Sequence, residues 1–257
     1  MSPGEQYVAF MTIVRKEIRR YLRIWTQTLL PSAITMSLYF VIFGTLIGSR
    51  IGEMGGFTYM QFVVPGLIMM AIVTNSYAKV VSSFFGSKFN LSVEELLVSP
   101  TPNYIILMGY VVGGVTRGLL VAIVVTLVSL FFTRLQIHSY AIVLLTVLMT
   151  STLFALGGFI NAVFANSFDD ISIVPTFVLT PLIYLGGVFY SMDLLPEFWA
   201  NVSKLNPLVY VVNAFRYGVL GVSDVSLGFA LGMISLFTLV AFVFSMHLLN
   251  SGTRLRQ

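Results

Sequence analysis

The sequence contains no cysteine, which excludes disulfides, thiolate metal sites and a cysteine nucleophile, and leaves the redox compartment undetermined. Its two histidines, His138 and His247, are too few to build a metal site. Charge is equally scarce. Only 9% of the 257 residues are charged, against the usual quarter in a water-soluble globule, so a soluble fold is excluded. What fills the chain instead is apolar: 57% hydrophobic, 14% aromatic and a mean hydropathy of +0.93. This is the composition of a membrane protein. The 14 basic and 10 acidic residues leave a formal +4, an excess that sets the orientation of membrane loops and does not mark a nucleic-acid surface.

Catalytic motifs are missing too. There is no G-x-x-x-x-G-K-[ST], and the glycines between Gly52 and Gly56 lack the lysine that would reach phosphates, so ATP hydrolysis would need another chain. No H-E-x-x-H occurs, and no Ser/His pair points to an embedded hydrolase. We assign no catalytic residue and no metal ligand. None of the ten acids falls in the middle of an apolar segment, where ion-coupled carriers keep a carboxylate.

At about 20 residues per span the chain has room for five to seven crossings and little else. Six apolar segments are readable, Ile24 to Gly48, Tyr59 to Val80, Val112 to Phe132, Tyr140 to Ala165, Ile173 to Tyr190 and Ser226 to Leu249. All read as helices, giving an all-α integral membrane protein, because a β-barrel would need short alternating segments. Residues 1–23 precede them as an amphipathic interfacial helix, with no cleavable signal sequence evident. On a helical wheel Arg15, Lys16, Arg19, Arg20 and Arg23 share an arc of about 140°, with Tyr7, Phe10, Met11, Val14, Ile18, Tyr21, Leu22 and Trp25 opposite. Ile13 and Val8 fall off that apolar face. Residues 24–257 form a single six-helix membrane domain. Placing both termini in the cytoplasm puts Arg15, Lys16, Arg19, Arg20, Arg23, Lys79, Lys88, Arg117, Arg254 and Arg256 inside, leaving Arg50, Arg134, Lys204 and Arg216 outside. Lys79 and Arg117, near the inner ends of their spans, are expected to snorkel to the interface.

Two segments are neither span nor simple loop. Between the second and third spans, about residues 91–99, Ser92 and Glu95 have capping-box spacing, Leu91 and Leu96 have staple spacing, and Pro100 stops the helix. So short a helix, built of Leu91, Ser92, Val93, Glu94, Glu95, Leu96, Leu97 and Val98, is unstable alone, and reads as a docking element. The second segment, about residues 191–217, carries Leu195, Pro196, Trp199, Asn206, Pro207 and Tyr210 and is too polar to cross. It reads as a re-entrant external segment, either an interfacial anchor or a gate. Asp169 and Asp170 are placed to cap the fifth helix. G-x-x-x-G spacings occur at Gly109 to Gly113 and Gly114 to Gly118. The scattered polar residues of the spans, Asn75, Ser76 and Asn161 among them, read first as interhelical hydrogen-bonding groups.

The stretch Pro181-Leu-Ile-Tyr-Leu-Gly-Gly-Val-Phe-Tyr190, then Leu194-Leu195-Pro196, Leu205-Asn206-Pro207-Leu208-Val209-Tyr210 and Phe215-Arg216, resembles the signature of the membrane subunit of type-2 ATP-binding-cassette exporters. Phe168 to Ile171 and Tyr59 to Pro65 are similar to the YadH-like branch of inner-membrane permeases. The resemblance implies a homodimer in a bacterial inner membrane, with two copies of a separate ATPase that bind ATP and Mg; this chain itself needs no cofactor. It implies that residues 92–98 are the coupling helix and residues 7–23 the connecting helix. The first, second and fifth helices would then line the pathway, with Tyr184, Gly186, Gly187 and Phe189 near the pathway or dimer axis. Drugs, lipids and lipid-linked glycans are the family's cargo, and a pathway poor in charge and rich in Phe, Tyr and Met suits an amphipathic or lipid-linked substrate. The rival reading is an ATP-independent channel or secondary carrier.

Overall fold

Ser2 starts the first helix. Its hydroxyl accepts from the Glu5 amide and its own amide donates to the Glu5 carboxylate, with Pro3 in the first turn where no N–H is needed. In the computed structural model, which describes residues 1–252, this helix is α1 (Pro3–Arg23). Arg254 and Arg256, counted above among the basic inner residues, lie outside the described residues. The face of α1 buried in the protein is Ile13, Val14, Glu17 and Tyr21, while Arg15, Lys16, Arg19 and Arg23 are exposed. Ile13 is therefore an inward residue and not, as the wheel suggests, one off the apolar face. Tyr7, Leu22 and Trp25 stay exposed.

A long helix, α2 (Trp25–Ile51), follows, with a π-helical stretch at Phe40–Ile47. Gly52, with φ +80°, ends it, and a two-stranded hairpin of β1 (Glu53–Met54) and β2 (Phe57–Thr58) turns through Gly55 and Gly56, both at positive φ as such a tight turn demands. Thr58 and Gln61 then form a second capping box for α3 (Tyr59–Phe89). The helix α4 (Ser92–Val98) leads to α5 (Asn103–Ser129), α6 (Tyr140–Phe164) and α7 (Asp170–Tyr184), the last containing a π-helical turn at Pro175–Leu179. After a single 3-10 turn at Met192–Leu194 come α8 (Glu197–Ser203), α9 (Pro207–Leu220) and α10 (Leu227–Ser251).

The central element is α3. It is buried along most of its length, packed between α5 and α6, whereas α2 and α10 lie outside and fully bury few of their residues. Such exposure is unfavourable in water and expected against lipid tails. Five described helices, α2, α3, α5, α6 and α10, are long and apolar enough to cross a membrane. The second and third run further than the hydropathy pattern predicts, α3 to Phe89, its last turns carrying the buried polar residues Ser83, Ser87 and Lys88, and α5 from Asn103. The fifth segment is shorter than expected. At about 1.5 Å per residue, α7 rises roughly 22 Å, less than the hydrocarbon thickness.

Packing relies on missing side chains. A Cβ on Gly114 would come within 2.7 Å of Val80 and 2.9 Å of Ala155, and one on Gly158 would meet the Tyr77 carbonyl at 2.5 Å. The G-x-x-x-G spacings are thus real contact surfaces: Gly109 and Gly113 receive α1, and Gly114 and Gly118 receive α3 and α6. Both α1 and the end of α10 lie at the end of the bundle that carries α4, since Tyr104 donates to Gln6 at 2.8 Å and Asn103 to Asn250 at 2.8 Å.

Gly158→Ala forces backbone apart at the α3–α6 crossing and should cost about 1–3 kcal/mol, read as an earlier thermal transition in detergent. Gly232→Ala, with nothing within 4 Å, should leave the transition in place.

Candidate functional site

The helix α4 occupies the predicted residues but is built differently. Leu91, not Ser92, precedes its first turn, in the left-handed region at φ +58°, and no side chain caps it. Ser92 instead donates to the Ser87 carbonyl at 3.1 Å, so the expected capping box and staple do not form. The left-handed Leu91 reverses the chain within two residues of α3, which is what holds α4 across the end of the bundle. Val93 is buried and Leu96 and Leu97 are partly buried against the core, leaving Leu91, Glu95 and Val98 exposed, the last at 86%.

Behind α4 lies a layer of buried polar side chains. Glu17 of α1 and Lys79 of α3 form an ion pair with side chains 1% and 3% exposed, and Ser83 donates to the same carboxylate oxygen. Arg20 reaches Ser83, donating to its hydroxyl at 3.2 Å. One layer further in, Arg117 of α5 donates to Asn75 at 2.8 Å and to the Thr28 carbonyl at 3.3 Å, and Asn75 bonds Ser32 of α2. Lys79 and Arg117 therefore do not snorkel. Each finds an oxygen inside the protein, which removes the reason to reach for the interface. Lys88 donates to the carbonyls of Val163 and Ala165, both at 2.8 Å, closing the end of α6.

Of the two acids placed to cap the fifth helix, Asp169 makes no capping bond. Asp170 acts one turn earlier: it accepts from the amides of Asn166 and Ser167, and its own amide donates to the Ser167 hydroxyl.

From this end a groove of about 400 Å³ runs between α3 and α7, lined by Thr74, Ala78 and Ser82 on one side and Ser172, Thr176 and Thr180 on the other, with Tyr77, Ile171 and Leu179 as apolar floor. Both π-helical stretches lie in α2 and α7. In α7 the cause is local: Pro175 and Pro181 carry no N–H, and Thr180 satisfies the Pro175 carbonyl at 2.9 Å. Beyond the groove, Tyr184 stacks on Phe189 with ring centres 5.6 Å apart, and Phe189 lies 4.6 Å from Phe43. Tyr184 is exposed. Gly186 and Gly187 are buried against their own chain, Gly186 against Leu208 and Gly187 at φ +72° offering its carbonyl to Arg216.

The segment after Tyr190 folds back on the bundle. Trp199 and Leu195 sit near its surface, while Asn206 caps α9, accepting from the Leu208 amide and donating to the Leu182 carbonyl at 2.7 Å; Pro207 supplies the first turn. Tyr210 is buried between Phe229 and Phe237 and donates to the Lys204 carbonyl. The largest fully buried side chain is Arg216. It donates to the Gly187 carbonyl at 2.6 Å, stacks 3.8 Å over the Phe62 ring and lies 4.0 Å from Asp224, which itself holds Ser191 and the Met192 amide.

Sequence reasoning missed Glu17 and Arg216 as structural centres. A signal for Glu17 was present: it lies about 200° from Arg15 on the wheel, clear of the basic arc and at the edge of the apolar one, where a lone carboxylate needs a partner. Arg216 was marked only as part of the family signature, with nothing to show its partners. Among the described residues no group of three His, Asp or Glu is placed to hold a metal.

Residues 8–220 match the family model for ABC-2 type transporters. The inner membrane transport permease YadH of Escherichia coli K12 is 58% identical over 250 residues, covering 97% of this chain and 98% of that protein. Nodulation protein J of Neorhizobium galegae is 22% identical over 94% of this chain and 92% of its own length, and that of Rhizobium leguminosarum bv. viciae is 23% identical over 83% of each.

Asp224→Ala removes the carboxylate beside a guanidinium that has no access to water. We expect a loss of about 3–5 kcal/mol, the cost of an uncompensated buried charge, seen as poor recovery and a lowered thermal transition. Asp193→Ala, at an exposed neighbour outside this network, should have no such effect.

Proposed function

The chain belongs to the ABC-2 type transporter family and is a membrane transporter subunit, a multi-pass inner-membrane transport permease; from that premise we propose that it is the homodimeric permease of an ATP-driven exporter, moved by two copies of a separate ATPase docked on α4. The observation that carries the proposal is α4 itself: a two-turn helix, fixed from behind through Val93, that projects Leu91, Glu95 and Val98 from the end of the bundle. It joins the most buried span to the next with only Asn90 and Leu91 between, so force applied to α4 is delivered to α3. The exposed basic face of α1, Arg15, Lys16, Arg19 and Arg23, flanks it as a connecting helix at the cytoplasmic surface.

On this reading six segments cross the membrane and both α1 and the end of α10 are cytoplasmic. The fifth crossing is α7 with its extension: Ile171 accepts from Asn161 near one end of the bundle, and Phe189 accepts from Tyr59 at the other. Residues 191–217 dip back from the outer face, since Tyr210 lies between Phe229 and Phe237, two turns apart on α10. The groove between α3 and α7 offers hydroxyls beside apolar surface and no formal charge, which suits an amphipathic or lipid-linked cargo. An ATP-independent carrier is favoured by a single observation, the buried Glu17 carboxylate; that carboxylate is already neutralised by Lys79 and lies outside the groove.

Glu95→Lys with Val98→Asp alters only exposed positions of α4. Membrane insertion and yield should be unchanged, and co-purification of the ATPase should fall at least tenfold, as expected for loss of about 1.4 kcal/mol or more at a contact. Unaltered co-purification would remove α4 from the docking surface.

A further inference from the structure

We infer that Glu17 and Lys79 are positioning residues that make α1 move with α3, so that motion applied at α4 carries the first span as well as the second. The inference rests on the proposed docking role of α4 and adds the route by which the motion spreads.

The geometry separates two kinds of contact. Toward α5, α1 packs closely: a Cβ on Gly109 would lie 2.5 Å from Ile13, and one on Gly113 2.8 Å from the Glu17 stem. Toward α3 the hydrogen bonds and the ion pair come from long polar side chains, Glu17 to Lys79 and Ser83, and Arg20 to Ser83 across Gly86. Packing alone would not select this arrangement, because burying two charges costs desolvation that an apolar pair of similar volume avoids. A buried ion pair does supply a directional tie with few alternatives. If α1 slid along α3, both charges would lose their partners in a place without water. Such a link permits one relative placement and resists the rest. Lys79 stands ten residues, about 15 Å of helix, from the end of α3 that leads into α4, and Glu17 stands on the helix that leads through Ile24 into α2. The link therefore lies on a continuous path from α4 through α3 and α1 to α2.

The absence of cysteine allows a direct test. Single spin labels are placed at Asn90→Cys, beyond the end of α3, and separately at Arg15→Cys, on the exposed face of α1. The complex with its ATPase is reconstituted in lipid nanodiscs, and distances between the two copies are measured with and without ATP and Mg. In the native background both distances should shorten together by about 2 Å or more. In Glu17→Leu/Lys79→Met, an apolar pair chosen to keep the protein folded and assembled, the Asn90 distance should still shorten while the Arg15 distance no longer follows. If α1 follows equally in the double variant, or does not follow α3 in the native protein, the inference is wrong. If no ATPase assembles, or the Asn90 distance ignores ATP, the exporter reading fails and takes this inference with it.

Discussion

A polar group placed in hydrocarbon must find its partner inside the protein, and that single constraint organises this molecule around α3. The helix presents Asn75, Lys79, Ser83 and Lys88 in successive turns toward its neighbours, and each is met: by Ser32 and Arg117, by Glu17, by Arg20, and by the open end of α6. The remaining helices are placed so that these bonds close. Small residues then set the distances, with Gly113, Gly114, Gly118 and Gly158 letting helices approach until the polar groups meet. Remove the polar layer and the bundle retains apolar surfaces that pack on lipid as readily as on one another.

The opposite end is organised by the same rule with one residue. Arg216 gathers the Gly187 turn, the Phe62 ring and Asp224, and so ties the end of α7, the start of α3 and the loop before α10 to α9. Two polar centres, one near each end of the same central helix, give the protein stiff ends. The π-helical stretch of α2 lies against the start of α3, where Gly44 faces Met60, and that of α7 borders the groove beside α3.

Much of this was legible in the sequence. Scarcity of charge and the length of the apolar runs identify a helical membrane protein, and the extents of α1 and α4 follow from charge periodicity and from Pro100. Where the sequence misled, the cause was tertiary. Hydropathy ends a span at its first polar residues, so Ser83 and Lys88 hid the last turns of α3, which the protein buries by pairing them. The Ser92 to Glu95 spacing imitates a capping box, yet the turn after α3 needs a left-handed residue and takes Leu91 as its helix boundary. Lys79 looked like a snorkelling lysine because its partner lies 62 positions away, at the edge of the apolar arc of another helix. Arg216 stands in the family signature, but nothing local shows what it bonds; its partners come from three separate stretches of chain.

On the proposed reading a separate ATPase drives this permease from α4. The most direct measurement is the mass and nucleotide hydrolysis of the particle obtained when the tagged chain is purified in mild detergent with the proteins encoded beside it. Two copies of this chain with two ATPase subunits, hydrolysing ATP, is the result the account predicts. A lone protein that conducts or exchanges ions across liposomes without ATP would contradict it.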